Sequence, residues 1–168
     1  TAGTILVTGV TTANATSGDI TLNQGTNNFS SIALTGGAVN VKDTDSLTVS
    51  SLSSGANKAV TLVSGGTLTL PASNIDTGSA DLDLRSNGGS LATAGTLAGA
   101  NVNLVGSAGI TIAHTVTGAG NITLAATGAA SDVTVSNTIT RSTSATDTTL
   151  TIQAGNSVIF NNAAADVV

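Results

Sequence analysis

Apolar residues recur along this chain as pairs separated by a single residue, beginning with Ile5-x-Val7 and ending with Val158-x-Phe160. Between these lie Ile20-x-Leu22, Ile32-x-Leu34, Val39-x-Val41, Leu47-x-Val49, Val60-x-Leu62, Leu68-x-Leu70 and Leu82-x-Leu84. The later half continues with Val102-x-Leu104, Ile110-x-Ile112, Ile122-x-Leu124, Val133-x-Val135 and Leu150-x-Ile152. A period of two sends both aliphatics to one face of an extended strand and the middle residue to the other. No stretch sustains a 3.6-residue apolar period, and β-branched residues and Gly crowd the chain, so helix is not expected.

The spacing of the strands says more than the strands themselves. Counted from Ile20, Val39, Val60, Leu82, Val102 and Ile122, the successive steps are 19, 21, 22, 20 and 20 residues. Within several repeats a second pair starts eight residues after the first, as from Val39 to Leu47, Val60 to Leu68, Val102 to Ile110 and Leu150 to Val158. A constant period with constant internal spacing predicts a solenoid, in which each strand pairs in parallel with its equivalent one coil later. The expected fold is all-β: a parallel β-helix of about 20 residues per coil and roughly eight coils, forming one repeat domain over residues 1–168. Each coil adds about 4.8 Å of length. Gly36-Gly37, Gly65-Gly66 and Gly88-Gly89 are expected to supply positive-φ corners of a three-sided coil, and Pro71 a strand end or corner.

One step breaks the rhythm: Ile122 to Leu150 is 28 residues. The polar stretch from Arg141 to Thr148 reads as a loop pushed out of one coil. The plainer reading is a tolerated insertion; the sharper one is a binding loop carrying Arg141 and Thr148.

Composition narrows the function classes. Only 8% of residues are charged and the net charge is −5, with four basic residues, Lys42, Lys58, Arg85 and Arg141. So few cations make no phosphate-tracking stripe, and nucleic acid is not an expected partner. No apolar run reaches membrane-spanning length. The chain holds no Cys, Met, Trp, Tyr or Glu, so folding is independent of redox state and no aromatic platform for sugars is present.

The phrases GAGNITLAA, GANVNLVGSAGITI and SGGTLTLPASNIDTGSADLDL resemble the repeats of filamentous haemagglutinin-type exoproteins of bacterial two-partner secretion systems. Autotransporter passenger domains share much of this style. The resemblance runs over essentially the whole chain. It implies a right-handed parallel β-helix, exported to the surface or medium of a Gram-negative bacterium, acting as a non-enzymatic shaft for adhesion or surface structure. It also implies interior shaft rather than the amino-terminal secretion domain, because the Asn-Pro motifs of that domain are missing here.

The strongest chemical candidate is Asp81-Leu-Asp83-Leu-Arg85. Period two places Asp81, Asp83 and Arg85 on one outward face, about 6–7 Å apart in succession. Two carboxylates so placed suit the acid and base of an inverting glycosidase, or a calcium ion shared with the next coil, as in a surface-layer module. The plainer reading is a solvated face with one Asp–Arg pair of little energetic weight. Asp43-Thr-Asp45 beside Lys42 reads as a polar turn after a strand. His114 stands alone, which fits a corner residue better than a metal ligand. Outward Thr pairs at Thr67/Thr69, Thr115/Thr117 and Thr149/Thr151 raise ice binding. Taking Gly88/Ser90 and Val135/Asn137 as the next-coil equivalents of the first two pairs, the array does not continue. Sequons at Asn14, Asn28 and Asn121 are no more than the Ser and Thr content produces by chance.

No cofactor or resident metal is expected. Neither end shows the amphipathic helix or charged coil of a cap, so the expected partners are copies of the same helix, stacked or continued in a longer chain, and a host or neighbouring-cell surface. A polysaccharide-active enzyme centred on Asp81 and Asp83 is the alternative.

Overall fold

The structure, a computed structural model, describes residues 3–142 and 148–161. Its regular elements are all strands, gathered into three parallel sheets. The first sheet stacks Leu6–Asn14, Asn28–Thr35, Leu47–Ser53, Leu68–Thr69, Leu91–Ala92, Ile110–Ile112, Val133–Val135 and Val158–Phe160. The second stacks Ile20–Leu22, Val39–Asp43, Val60–Ser64, Leu82–Ser86, Val102–Gly106, Ile122–Ala126 and Leu150–Gln153. The third holds Ile75–Asp76, Leu97–Gly99, Val116–Gly118 and Ile139–Arg141. The chain winds as a β-solenoid of about seven turns, roughly 21 residues each. That is about one turn fewer than chain length divided by 20 suggests, and the 28-residue turn accounts for part of the difference.

The register is the one set by the apolar pairs. Ile20, Val39, Val60, Leu82, Val102, Ile122 and Leu150 are successive Cα partners along the second sheet. Leu47, Leu68, Leu91, Ile110, Val133 and Val158 are successive partners along the first. Their side chains meet inside one continuous aliphatic core, with Leu62, Leu84, Leu104 and Leu124 wholly buried on the second sheet. A one-residue slip would turn every such aliphatic outward, so burial itself locks the register.

The cross-section changes along the axis. In the early turns the first sheet uses long strands bent by a bulge between Ile32 and Ala33, where Ser50 is skipped and its hydroxyl donates to the Ile32 carbonyl at 3.2 Å. From Pro71 onward each turn breaks into two shorter strands instead, and the third sheet begins at Ile75. Pro71 is buried just past Leu68–Thr69, a place where its missing N–H costs no ladder bond.

The Gly pairs do not serve as positive-φ corners. Among the described glycines only Gly78 and Gly109 have positive φ. The pairs matter for a different reason: a Cβ on Gly65 would land on the Thr44 carbonyl, and one on Gly88 on the carbonyl of Gly65 itself. Corners of successive turns stack backbone on backbone there. Asn87-Gly88, a pair suited to hairpins, also lies at such a corner.

The 28-residue turn spreads its extra length over two corners. In the preceding turn Val102 to Ile110 is eight residues and Val116 to Ile122 is six. In the long turn Ile122 to Val133 is eleven and Ile139 to Leu150 is eleven. Three added residues therefore sit before the first sheet and five after the third. Of the stretch expected to loop out, residues 143–147 lie outside the described set.

Candidate functional site

The outer face of the second sheet carries the charges that the sequence singles out. Leu82 and Leu84 point into the core, so Asp83 and Arg85 point out, as the alternation requires. The Nε of Arg85 donates to both oxygens of Asp83, at 2.8 and 3.0 Å. From the next turn, Asn103 Nδ2 donates to Asp83 Oδ1 at 2.8 Å. Asp83 is thus held from two sides, and it in turn orients the guanidinium. The pair is partly exposed, which limits its worth to stability to about 0–1 kcal/mol.

Asp81 belongs to a different device. It stands at the corner before Leu82, and its Oδ1 accepts from the Asn101 backbone N–H at 3.2 Å and from Asn101 Nδ2 at 2.8 Å. Asn101 Oδ1 then accepts from the Asn121 N–H at 2.9 Å, and Asn121 Oδ1 from the Thr149 N–H at 2.8 Å. The same position three turns before Asp81 is Asp19, which accepts from the Ala38 N–H. These side chains form a ladder along one corner, capping N–H groups where the chain turns onto the second sheet. Replacing Asn101 by Ala should therefore cost about 1 kcal/mol, read from urea denaturation; a change indistinguishable from zero would mean water replaces the ladder at no cost.

Asp43 is the acidic residue that the sequence misplaces. It is not in a solvated turn: it ends the strand Val39–Asp43 and is only 4% exposed, whereas Asp45 is exposed. The inward file continues as Ser64 and Ser86, both buried. These short polar side chains serve the bend: Asp43 Oδ1 accepts from the Phe29 N–H at 2.7 Å, and Ser86 Oγ from the Leu68 N–H at 3.1 Å. Burial raises the Asp43 pKa above the ordinary value; the Phe29 N–H opposes this, and the Asp45 carboxylate adds to it. With the folded pKa above the unfolded one, Asp43 contributes stability below the ordinary aspartate range and loses it as pH rises through the raised value. Asp43→Asn keeps an acceptor for Phe29. The melting temperature of the wild type relative to this variant should fall as pH rises from about 3 to neutrality, and a pH-independent difference would contradict the assignment.

His114 is exposed at the corner between Ile110–Ile112 and Val116–Gly118, with Nδ1 3.0 Å from the Thr93 carbonyl oxygen. Arg141 ends the strand Ile139–Arg141 and Thr148 lies across the undescribed residues from it. Among the described residues no three His, Asp, Glu or Cys side chains gather as a metal site, and no helix is long and apolar enough to cross a membrane.

The Thr arrays follow a different register from the one the sequence suggests. Thr69 is followed one turn later by Ala92, next to the paired Leu68 and Leu91. Thr117 pairs with Thr140, and Val116 with Ile139, so Thr115/Thr117 are succeeded by Thr138/Thr140 rather than Val135/Asn137. The preceding turn has Ala98 opposite Thr117 and Asp76 before that. The array continues for one turn on the third sheet and is interrupted on the first.

Sequence reasoning also missed a groove. Asn40, Lys42, Thr61, Val63, Asp83, Arg85 and Asn87 line a shallow depression across three turns of the second sheet. Lys42, Val63 and Arg85 are successive register partners. The signal was present, since Lys42 and Arg85 each lie three residues after a repeat start, Val39 and Leu82.

No protein family, curated protein or solved structure matches the chain.

Proposed function

We propose that this chain is a stretch of non-enzymatic structural shaft from a secreted or surface-displayed bacterial adhesin or filament of the filamentous haemagglutinin type. The observation that supports this reading most is the unbroken ladder of the second sheet from Ile20 to Leu150, with the same aliphatic file inside every turn. Such stacking makes a stiff object, since bending it means parting backbone hydrogen bonds and core contacts together. The two carboxylates suited to catalysis are instead engaged by amides and a guanidinium. Val158 and Phe160 are 41% and 53% exposed, while their register partners Val133 and Val135 are covered. An apolar edge of this kind suits a parallel strand from a second copy.

The absence of Cys allows a direct test of stiffness. Thr21 and Thr151 lie on one outward file, six register steps apart, or about 29 Å at ~4.8 Å per step. Spin labels at Thr21→Cys and Thr151→Cys should report one narrow distance distribution near that value. A broad distribution would overturn the shaft. Turnover of an acidic polysaccharide by the purified chain, lost in Asp83→Asn, would overturn the non-enzymatic reading.

A further inference from the structure

We infer that the groove on the second sheet is a binding site for a linear polysaccharide bearing carboxylates, lying along the helix axis from Lys42 to Arg85. Four features support this, independently of the shaft reading. First, two of the four basic residues of an acidic chain stand in one file of this groove. They are two strand spacings apart, roughly 10 Å, too far to serve one carboxylate and well placed to serve two on one chain. Second, Arg85 is preorganised. Its Nε is committed to Asp83, which Asn103 fixes from the far side, while its Nη nitrogens make no hydrogen bond among the described residues. A guanidinium edge held in this way presents two parallel donors, the geometry that matches a carboxylate. Third, Lys42 is exposed and forms no ion pair among the described residues. Fourth, the file beside the cations is polar, running Asn40, Thr61 and Asp83. Thr61 and Asn87 offer hydroxyl and amide groups to sugar hydroxyls. Val63 supplies the single apolar contact at the centre.

Charge selects among polymers. Asp83 offsets one of the two cations, so the groove carries one net positive charge; this disfavours a densely charged nucleic acid backbone and suits a chain with spaced anions. The Asp83 carboxylate also faces any ligand bound at Arg85, which favours a carboxylate seated on the Nη edge, away from Nε.

Affinity electrophoresis and calorimetry with polygalacturonate as the probe test the assignment. Dextran serves as the neutral polymer and galacturonic acid as the free carboxylate. The chain should be retarded by polygalacturonate and not by dextran, and the monomer should bind far more weakly, since it spans only one cation. Lys42→Gln and Arg85→Gln should each weaken polymer binding about tenfold, the loss of one charged hydrogen bond. Lys58→Gln, outside the groove, should leave binding unchanged, and melting curves of all three variants establish that they fold. Equal weakening by Lys58→Gln would reveal diffuse charge attraction and overturn the site, as would absence of retardation in the wild type. Monomer binding as tight as polymer would overturn the two-point mode.

Discussion

Leu104→Ala should be among the most destabilising single truncations in this protein, costing about 2–5 kcal/mol. Leu104 has no exposed surface and sits in register between Leu84 and Leu124, both also fully buried. The narrow core of a solenoid has little freedom to collapse into the space left, because the flanking turns are fixed by backbone ladders on both sides. For a domain of this size the loss corresponds to a fall in melting temperature of roughly 5–15 °C. The neighbouring Asn103→Ala, on the outward face of the same strand, removes one hydrogen bond to Asp83 and should cost no more than about 1.5 kcal/mol. Denaturant titrations followed by circular dichroism compare the two. Similar losses from both would mean that the core is not what holds the turns together.

The second large effect is expected at a residue with no side chain. Gly65→Ala places a methyl group on the Thr44 carbonyl oxygen, and Gly88→Ala places one on the carbonyl of Gly65. The obstructing atoms are backbone, already engaged in stacking one turn on the next, and they cannot rotate away as a flexible side chain does. Each substitution should cost about 1–3 kcal/mol. Gly25→Ala is the matched control: nothing lies near its added methyl, and its φ is not in the left-handed region. It should be neutral, or stabilising by about 0.4–1 kcal/mol through the unfolded chain. If Gly65→Ala proved as benign as Gly25→Ala, the close approach of these corners would be wrong.

The corner glycines show where sequence reading reaches its limit. A Gly pair in a repeat signals that a side chain is not tolerated, but it does not say whether φ or a neighbour forbids it. Torsion is the default inference because it is local; the actual reason is contact with a turn about 20 residues away. Asp43 is a similar case. Asp-Thr-Asp after a strand has the composition of an exposed turn, and only the bend between two sheets makes its first member face inward to meet the Phe29 N–H. The Asn ladder, by contrast, was legible. Asp81, Asn101 and Asn121 each immediately precede a repeat start, at 20-residue spacing, and a residue type kept at one corner is a candidate for stacking. The groove was half legible: Lys42 and Arg85 occupy the same repeat position, but the depression that Asn40, Thr61 and Asn87 form around them is a property of the folded surface.

By itself the sequence determined the all-β class, the parallel stacking, the register of the second sheet and the inward aliphatics. The physical reason is that a period of two and a period near 20 are both properties of the linear pattern. Burying one set of aliphatics in parallel ladders satisfies both at once. Tertiary structure alone decided three things: the shift from bulged strands to a third sheet at Pro71, the division of the long turn between two corners, and the backbone contacts that exclude side chains at Gly65 and Gly88. Each depends on the distance between turns far apart in the chain, which no local pattern of residues encodes.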